Sequence, residues 1–263
     1  MKIDGIKIAD EIVKRLKGEN APKKILAAIF VGDDTLSDSF LKQKQQTAER
    51  LGIDFRIYNL PDNLNGDDLR HKVSEISAQE DIGGAIVQLP LPSGIDKQYV
   101  LNAVPSEKDV DVLGEHKLGG LLQPAVETFK EIIEREKVNL EESVVVVLGK
   151  GVLVGKPIGN WLEGKCKELY ILDSKSDPSK IKEADIIVSG VGRAGLIDPN
   201  NLKVGAGVID FGYSNKGKLV GDLNVENESA LDRLKFYTPT PGGTGPILVA
   251  KLFENFYKLC GRQ

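Results

Sequence analysis

Short apolar, β-branched runs alternate with amphipathic or polar segments along most of the chain. This alternation predicts strands separated by helices, which is typical of the α/β class. Several runs are apolar on both faces, so we expect parallel strands with helices on either side. The predicted strands cover residues 25–31, 53–58, 84–89, 144–148, 169–172, 186–188 and 207–211.

The alternation breaks once, within residues 118–124, where two glycines and a proline interrupt it. We therefore predict a first domain from residues 1–122 together with 245–263, and a second domain from residues 123–244. The last segment has apolar side chains at spacings of four, four and three residues, which predicts a final helix. Because that apolar stripe needs a partner surface, we expect the helix to return to the first domain.

The charge balance argues against nucleic acid and membranes as partners. The 263 residues include 35 Lys and Arg against 39 Asp and Glu, a net charge of −4, which offers no basic surface for nucleic acid or anionic lipid. We expect no membrane span and no signal peptide. Cys166 and Cys260 lack a metal-binding spacing, so we expect no metal site and a cytoplasmic location. Small molecules are the expected ligands.

A lysine interrupts the apolar face of the helix predicted between Leu36 and Gly52. Lys44 lies four residues after Phe40 and four before Ala48, so it shares their inward face. It either extends its aliphatic stem toward solvent or belongs to a site. Apolar surroundings would disfavour its ammonium form and move its pKa toward the range useful for proton transfer.

Two further polar signals accompany this lysine. Gln88 follows a predicted strand, and the carboxyl ends of strands are where open α/β sheets build ligand sites. Asp109 and Asp111 form an acidic pair that is either a solvated loop or part of the same site. We treat these residues, with Lys44, as candidates for one site.

A glycine-rich turn follows the strand at residues 144–148. Its spacing, Gly149-x-Gly151-x-x-x-Gly155, is one residue longer than the usual dinucleotide fingerprint. A strand, a glycine turn and a helix start are the parts of a phosphate cradle, in which backbone N–H groups face the anion. The turn is therefore either a dinucleotide site or an ordinary tight turn.

The end of the next strand bears on which dinucleotide would bind. Asp173 lies where such sites meet the adenosine ribose, and its carboxylate would accept a hydrogen bond from a free 2′-hydroxyl, which favours NAD. Lys150, Ser174 and Lys175 would instead hold a 2′-phosphate, which favours NADP. The residues leave both cofactors open.

Residues 237–246 are dense in proline, glycine and threonine. Proline fixes and glycine frees the backbone φ angle, so this loop is rigid and exposes backbone groups. Its composition favours a ligand-facing role over a plain linker.

Eight short motifs occur in order along nearly the whole chain. They are Val31-Gly32-Asp33-Asp34, Phe40-x-x-x-Lys44, Val87-Gln88-Leu89-Pro90-Leu91-Pro92, Lys108-Asp109-Val110-Asp111, Val154-Gly155-Lys156-Pro157, Val208-Ile209-Asp210-Phe211-Gly212, Val220-Gly221-Asp222 and Thr238-Pro239-Thr240-Pro241-Gly242-Gly243-Thr244-Gly245-Pro246. This combination resembles the methylenetetrahydrofolate dehydrogenase/cyclohydrolase family.

The resemblance implies a folate-binding catalytic domain, a Rossmann-like NAD(P)-binding domain, an active site between them, and a homodimer. It implies oxidation of 5,10-methylenetetrahydrofolate with NADP, or with NAD as the alternative, and then hydrolysis of the 5,10-methenyl product to 10-formyltetrahydrofolate. Lys44, Gln88 and Asp111 are then the expected catalytic residues, with Asp111 anchoring the pterin ring. The expected substrate-binding residues are Phe40, Pro241, Gly242 and Gly243. The expected cofactor-binding residues are Gly149, Lys150, Gly151, Val154, Gly155, Asp173, Ser174, Gly212 and Tyr213.

The chain also departs from the family pattern. Phe40 replaces the usual tyrosine and removes a hydroxyl from the proton network. Val112 replaces a glycine, and Lys150-Gly151 replaces Arg-Ser, which weakens the expected hold on a 2′-phosphate. The alternatives are thus a dehydrogenase with weak or lost cyclohydrolase activity, and a catalytically silent folate- or nucleotide-binding protein.

Overall fold

The computed structural model describes residues 1–32, 35–116, 118–215 and 219–261, and it confirms the predicted α/β class. Asp33 and Asp34 of the first motif lie outside the described residues. The helices are α1 (Gly5–Lys17), α2 (Thr35–Leu51), α3 (Gly66–Ala78), α4 (Lys97–Leu101), α5 (Pro124–Arg135), α6 (Gly155–Leu162), α7 (Glu228–Leu231) and α8 (Thr244–Cys260). The strands are β1 (Ile25–Val31), β2 (Phe55–Leu60), β3 (Ile82–Val87), β4 (Val144–Leu148), β5 (Glu168–Leu172), β6 (Ile186–Ser189), β7 (Gly207–Asp210), β8 (Ser214–Asn215), β9 (Leu219–Val220) and β10 (Phe236–Tyr237).

The chain divides into two compact units. The first unit comprises Asp10–Pro124 and Val249–Gln263, and the second unit comprises Met1–Ala9 and Ala125–Leu248. The sequence assigned residues 1–9 to the first domain, but the structure groups them with the second unit. The reason is backbone pairing that hydropathy does not reveal: Ile3 N donates to Tyr237 O at 2.8 Å, and Tyr237 N donates to Met1 O at 2.9 Å.

A parallel sheet in the order β2-β1-β3 forms the centre of the first unit. Every residue of β3 is buried, as expected for a strand that is apolar on both faces. The segment after α4 extends this sheet, because Asp109 forms a parallel bridge with Ala85 and Ala85 N donates to Lys108 O at 2.7 Å. This parallel pairing directs the residues after Asp109 toward the carboxyl end of β3, where Gln88 follows.

Helix α8 packs in the first unit from Val249 onward, which confirms the predicted return of the final helix. Asn255 Nδ2 donates to the carbonyl oxygens of Val110 at 3.0 Å and Leu122 at 2.9 Å. Phe256 is fully buried, and a Cβ on Gly84 would lie 2.7 Å from its ring. Gly84 therefore leaves the space that the phenyl ring occupies.

An open parallel sheet in the order β10-β7-β6-β4-β5 forms the second unit. The chain leaves β4 toward β5 on one side and then returns to β6 on the other. The loops after β4 and β6 therefore flank the point where the strand order reverses, which is where open α/β sheets bind their ligands. The predicted Rossmann-like arrangement is confirmed.

Helix α1 is an element that the sequence analysis did not predict. Its start looked polar, yet Ile8, Ile12 and Leu16 recur every four residues and are all buried. Asp4 Oδ1 accepts a hydrogen bond from Lys7 N at 2.9 Å and so caps the first turn. The periodic signal was present but short.

Candidate functional site

The interior lysine is held by a glutamine. Lys44 is only 5% exposed on α2, and its Nζ donates to Gln88 Oε1 at 2.8 Å. The backbone of Gln88 is fixed in turn, because its N–H donates to Ile29 O at 2.9 Å. The structure thus joins two predicted site residues that lie 44 positions apart in the sequence.

The electrostatics of this pair involve Asp111. Burial lowers the pKa of the Lys44 amine, and the negative charge of Asp111 opposes that shift. Burial likewise raises the pKa of the half-buried Asp111 carboxyl, and the charge of Lys44 opposes it. The amine therefore releases its proton more readily than an exposed lysine, while Asp111 supports its protonated form. A lysine whose pKa is lowered in this way is better suited to proton transfer than an exposed one.

Asp109 has a different role from its neighbour. Its side chain is buried, and Oδ2 accepts a hydrogen bond from Gly114 N at 2.7 Å. Burial raises its pKa to about 6, and the charge of Asp111 adds to the shift. Asp109 thereby stabilises the turn that contains Asp111. In this turn Val112 adopts a φ of 54°, the left-handed region that the usual glycine would enter without strain.

The glycine-rich turn has the geometry of a phosphate cradle. Gly149 has a φ of 91°, and a Cβ on Gly155 would lie 1.9 Å from Gly149 O, so the turn closes only with glycine at both positions. Helix α6 begins at Gly155, and its N-cap residue Val154 makes no side-chain capping bond. Lys156 N donates to Gly151 O at 3.0 Å and Pro157 has no N–H, so the helix start offers an anion the N–H of Gly155 and the positive end of the helix dipole. With the space that the glycines leave, these residues fit the pyrophosphate of a dinucleotide.

The ribose-end residues also come together. Lys150 Nζ lies 2.6 Å from Asp173 Oδ2, and this bond is the main reason why the pKa of Asp173 falls to about 2. Lys175 N donates to Oδ1 of the same carboxylate at 3.0 Å, whereas Ser174 is exposed. The Asp173 carboxylate, which could accept a hydrogen bond from a ribose hydroxyl, thus lies beside the Lys150 ammonium, which could bind a phosphate. This pairing leaves the choice between NAD and NADP open.

The loop after β7 contains two further predicted cofactor residues. Gly212 is buried, and a Cβ on Gly192 would lie 3.4 Å from Tyr213 O, so the loops after β6 and β7 are neighbours. Asp210, at the end of β7, accepts hydrogen bonds from Gly212 N at 2.8 Å and Leu223 N at 2.9 Å. Burial raises the pKa of Asp210 to about 7.

The predicted substrate-binding residues are divided between the units. Phe40 is half-buried on α2 of the first unit, one turn before Lys44, whereas Pro241, Gly242 and Gly243 belong to the second unit. Within that unit, Gly5 N donates to Gly242 O at 3.0 Å, and Gly242 has a φ of 91°. The N-terminal residues thus support this loop.

Asp222 is a buried residue to which the sequence analysis gave no role. Its carboxylate bonds the loop after β6, as described below. The signal for it was an acidic residue within the otherwise apolar Val220-Gly221-Asp222 motif. Over the described ranges, no cluster of three or more His, Cys, Asp or Glu side chains could hold a metal ion, and no helix is long and apolar enough to cross a bilayer.

An open parallel sheet with a glycine-rich turn at a helix N-terminus, together with a unit that buries a lysine, defines a two-unit α/β protein of the dinucleotide-binding class. Residues 3–111 match the family model for the tetrahydrofolate dehydrogenase/cyclohydrolase catalytic domain, and residues 124–263 match that for the NAD(P)-binding domain of the same enzymes. The chain belongs to the tetrahydrofolate dehydrogenase/cyclohydrolase family.

Individual relatives agree with this assignment. The chain is 35% identical over 274 residues to the bifunctional protein FolD of Rickettsia bellii, covering 96% of this chain and 95% of that protein. The solved structure of the bifunctional FolD enzyme from Campylobacter jejuni has a TM-score of 0.90 at 27% identity, covering 100% and 99% of the two chains. That of the Trypanosoma brucei enzyme, complexed with NADP and an inhibitor, has a TM-score of 0.91 at 28% identity, covering 100% and 97%. The predicted family, fold and bifunctional enzyme class are confirmed.

Proposed function

We propose that this chain oxidises 5,10-methylenetetrahydrofolate with NADP and then hydrolyses the 5,10-methenyl product to 10-formyltetrahydrofolate. The buried Lys44–Gln88 hydrogen bond of 2.8 Å is the observation that supports the hydrolytic half. A protein that only binds folate would not need a desolvated amine fixed by a neutral acceptor.

In the hydrolytic step, water adds to the methenyl carbon, and Lys44 accepts the proton that the water loses. The lowered pKa of the amine favours the neutral form, which is the form that this transfer needs. The same proton then passes from Lys44 to the folate nitrogen as the carbon–nitrogen bond breaks, and the hydroxyl proton of the adduct leaves to water as the formyl C=O forms. Gln88 keeps Nζ in place, and Asp111 stabilises the transient ammonium while it accepts hydrogen bonds from the pterin ring.

The cofactor half of the proposal rests on the second unit. A nicotinamide cofactor held by this unit would supply the redox chemistry, as the acceptor for a hydride from the methylene carbon. Gly149, Gly151 and Gly155 would leave room for the pyrophosphate at the start of α6. At the ribose, Lys150 and Ser174 would hold a 2′-phosphate, whereas Asp173 would bind a free 2′-hydroxyl. Val154, Gly212 and Tyr213 complete the proposed cofactor site.

One observation favours a second candidate function, a dehydrogenase with slow hydrolysis. Phe40 lies one helical turn before Lys44 and has no hydroxyl to join a proton network. Its ring retains a flat apolar face for the substrate, so this substitution would spare binding and oxidation more than hydrolysis.

A single assay distinguishes these functions. The purified protein is given methylenetetrahydrofolate with NADP or NAD, and reduced nicotinamide and methenyl absorbance are followed together. Methenyl that disappears faster than its spontaneous hydrolysis supports the bifunctional enzyme, whereas methenyl that accumulates identifies a dehydrogenase alone. Folate binding without turnover in either assay contradicts both. Phe40→Tyr serves as a gain-of-function control. The added hydroxyl should raise the rate of hydrolysis roughly 2- to 10-fold, the range expected for one hydrogen bond.

The homodimer and the cytoplasmic location expected from the sequence are parts of the same proposal. The family resemblance supports the dimer, and the two free cysteines, Cys166 and Cys260, are consistent with a reducing compartment. Light scattering on the purified chain tests the dimer, and a monomeric mass at assay concentration would contradict it.

A further inference from the structure

A fully buried carboxylate fixes the loop that follows β6. Asp222 is 0% exposed. Its two oxygens accept hydrogen bonds from Ser189 Oγ at 2.6 Å, Val191 N at 2.9 Å, Gly192 N at 3.2 Å and Arg193 N at 2.6 Å. Three consecutive backbone N–H groups therefore converge on one side chain, which determines the path of the loop.

This loop packs directly on the glycine-rich turn. A Cβ on Gly190 would lie 2.7 Å from the side chain of Val154, the N-cap residue of α6. A Cβ on Gly149 would lie 3.3 Å from the side chain of Val191. A shift of the loop would therefore displace Val154 or the turn itself, because the contacts on both sides are already close.

A second carboxylate, that of Asp210, fixes the segment that contains Asp222. A Cβ on Gly212 would lie 2.1 Å from the Asp222 carboxyl carbon, and a Cβ on Gly221 would lie 2.2 Å from Asp210 Oδ2. Each glycine thus makes room for the carboxylate of the other segment. Asp210 bonds Gly212 N in the loop after β7 and Leu223 N next to Asp222, and so fixes these two segments relative to each other.

We propose that Asp222 is a positioning residue for the dehydrogenase reaction: by fixing the loop at residues 190–193, it sets the shape of the cofactor site at the glycine-rich turn. The inference rests on the proposed function, since it assumes that the dinucleotide binds at this turn. Because the N–H groups of Val191, Gly192 and Arg193 are bonded to Asp222, they orient the loop rather than bind phosphate. Asp222 acts through this backbone and not by touching the reacting atoms.

Asp222→Asn tests the proposal with little change in shape. The new amide turns an N–H donor toward backbone donors, so at least one of the four bonds is lost. We expect the NADP dissociation constant, measured by calorimetry, to rise about tenfold or more. We expect dehydrogenase turnover to fall about 100-fold, because a misplaced reactant loses most of its orientation. Hydrolysis of added methenyltetrahydrofolate, which requires no nicotinamide, should stay at the wild-type level.

Asp185→Asn is the matched control. Asp185 precedes the opposite end of β6 and also bonds a backbone N–H, that of Val144 at 2.9 Å, together with the Lys203 amine. This change should lower thermal stability but leave NADP affinity unchanged. Equal losses of affinity in the two variants, or equal losses of both activities in Asp222→Asn, would show a merely structural role and overturn the proposal.

Ser189→Ala keeps the test informative if Asp222→Asn does not fold. It removes one donor to Asp222 and leaves the charge, so we expect a roughly 2- to 10-fold weaker NADP affinity, the worth of one hydrogen bond. Unchanged affinity in Ser189→Ala would then contradict the proposal. Wild-type protein that binds NADP without turnover would refute the proposed function alone, because the affinity comparison still decides the role of Asp222.

Discussion

Each unit contains a pair of aspartates, and the two pairs have different roles. In the first unit, Asp109 bonds the backbone of its own turn, while Asp111 faces the charge of Lys44. In the second unit, Asp210 and Asp222 both bond backbone N–H groups. A buried carboxylate surrounded by amide donors organises a loop, whereas one that faces a buried amine alters the pKa of that amine.

Burial alone does not distinguish these roles. It raises the pKa of Asp109 to about 6 and that of Asp210 to about 7, although neither is proposed to react. The distinguishing feature is the partner of the carboxylate. The comparison can be tested by removing the amine of Lys44, the charge of Asp111 or the titratable proton of Asp210. A further test relieves the backbone strain at residues with positive φ.

Removing the amine should have the largest effect. Lys44→Ala should lower the rate of methenyltetrahydrofolate hydrolysis roughly 100- to 10,000-fold, the range for loss of a general acid–base group. Calorimetry should show unchanged NADP affinity, because Lys44 belongs to the other unit. Lys42→Ala is the matched control, an exposed lysine on the same helix that should leave hydrolysis unaffected. Unchanged hydrolysis in Lys44→Ala would refute the assigned role.

Removing the charged neighbour should have a smaller and pH-dependent effect. Asp111→Asn takes away the charge that raises the pKa of Lys44, so this pKa should fall further. Since the neutral amine is the proposed base, the acid limb of the kcat profile for hydrolysis should shift to lower pH. The folate KM should rise about tenfold through loss of hydrogen bonds to a charged group. An acid limb at the wild-type position would show that the two groups are not coupled.

Removing the titrating proton in the second unit should alter stability rather than chemistry. The pKa of Asp210 is about 7 in the folded chain against an ordinary value of 3.8, so the native state retains a proton that the unfolded state has lost. This contribution lowers the free energy of unfolding as pH rises between those values. The Asp210→Asn side chain cannot titrate. As the pH rises from about 4 to 7, the free energy of unfolding of the variant should therefore increase relative to that of the wild type.

Urea unfolding at several pH values between 4 and 7 measures this difference. Asp109 titrates in the same region, but both chains contain it, so its contribution cancels. Parallel stability profiles for the two chains would contradict the assignment of a raised pKa to Asp210.

Relieving backbone strain should have the smallest effect and separates strain from burial. Lys137 is exposed and has a φ of 49° after the end of α5, where Val138 N bonds Ile133 O and Lys137 N bonds Glu134 O in a Schellman motif. Lys137→Gly should stabilise the protein by about 1 kcal/mol, because glycine adopts this conformation without a Cβ penalty. Chemical denaturation measures the change, and destabilisation would contradict it.

Val112→Gly removes the same kind of strain from the turn that presents Asp111. Val112 is buried, however, and losing its side chain costs about 1.5–3 kcal/mol, which exceeds the roughly 1–2 kcal/mol of strain. We expect net destabilisation, opposite in sign to Lys137→Gly. Stabilisation in both variants would show that burial of Val112 contributes little.

The sequence predicted best those elements whose signal is local and long. The strands at residues 25–31 and 144–148 match β1 and β4, because an apolar β-branched run is itself the feature that packs between two layers. The strands predicted at 53–58 and 84–89 lie two residues from β2 and β3. Helix α1 was missed because its periodic apolar signal is short and begins among polar residues.

By itself, the sequence determined that Lys44 faces inward, that a glycine-rich turn follows a buried strand, and that the final helix needs a partner surface. These properties follow from helical periodicity and the small size of glycine, which act over a few residues. Only the tertiary structure decided that Lys44 bonds Gln88, that residues 1–9 join the second unit, and that Asp222 organises the loop after β6. Those contacts join positions tens to hundreds of residues apart, and chain spacing does not encode which distant groups meet when strands align.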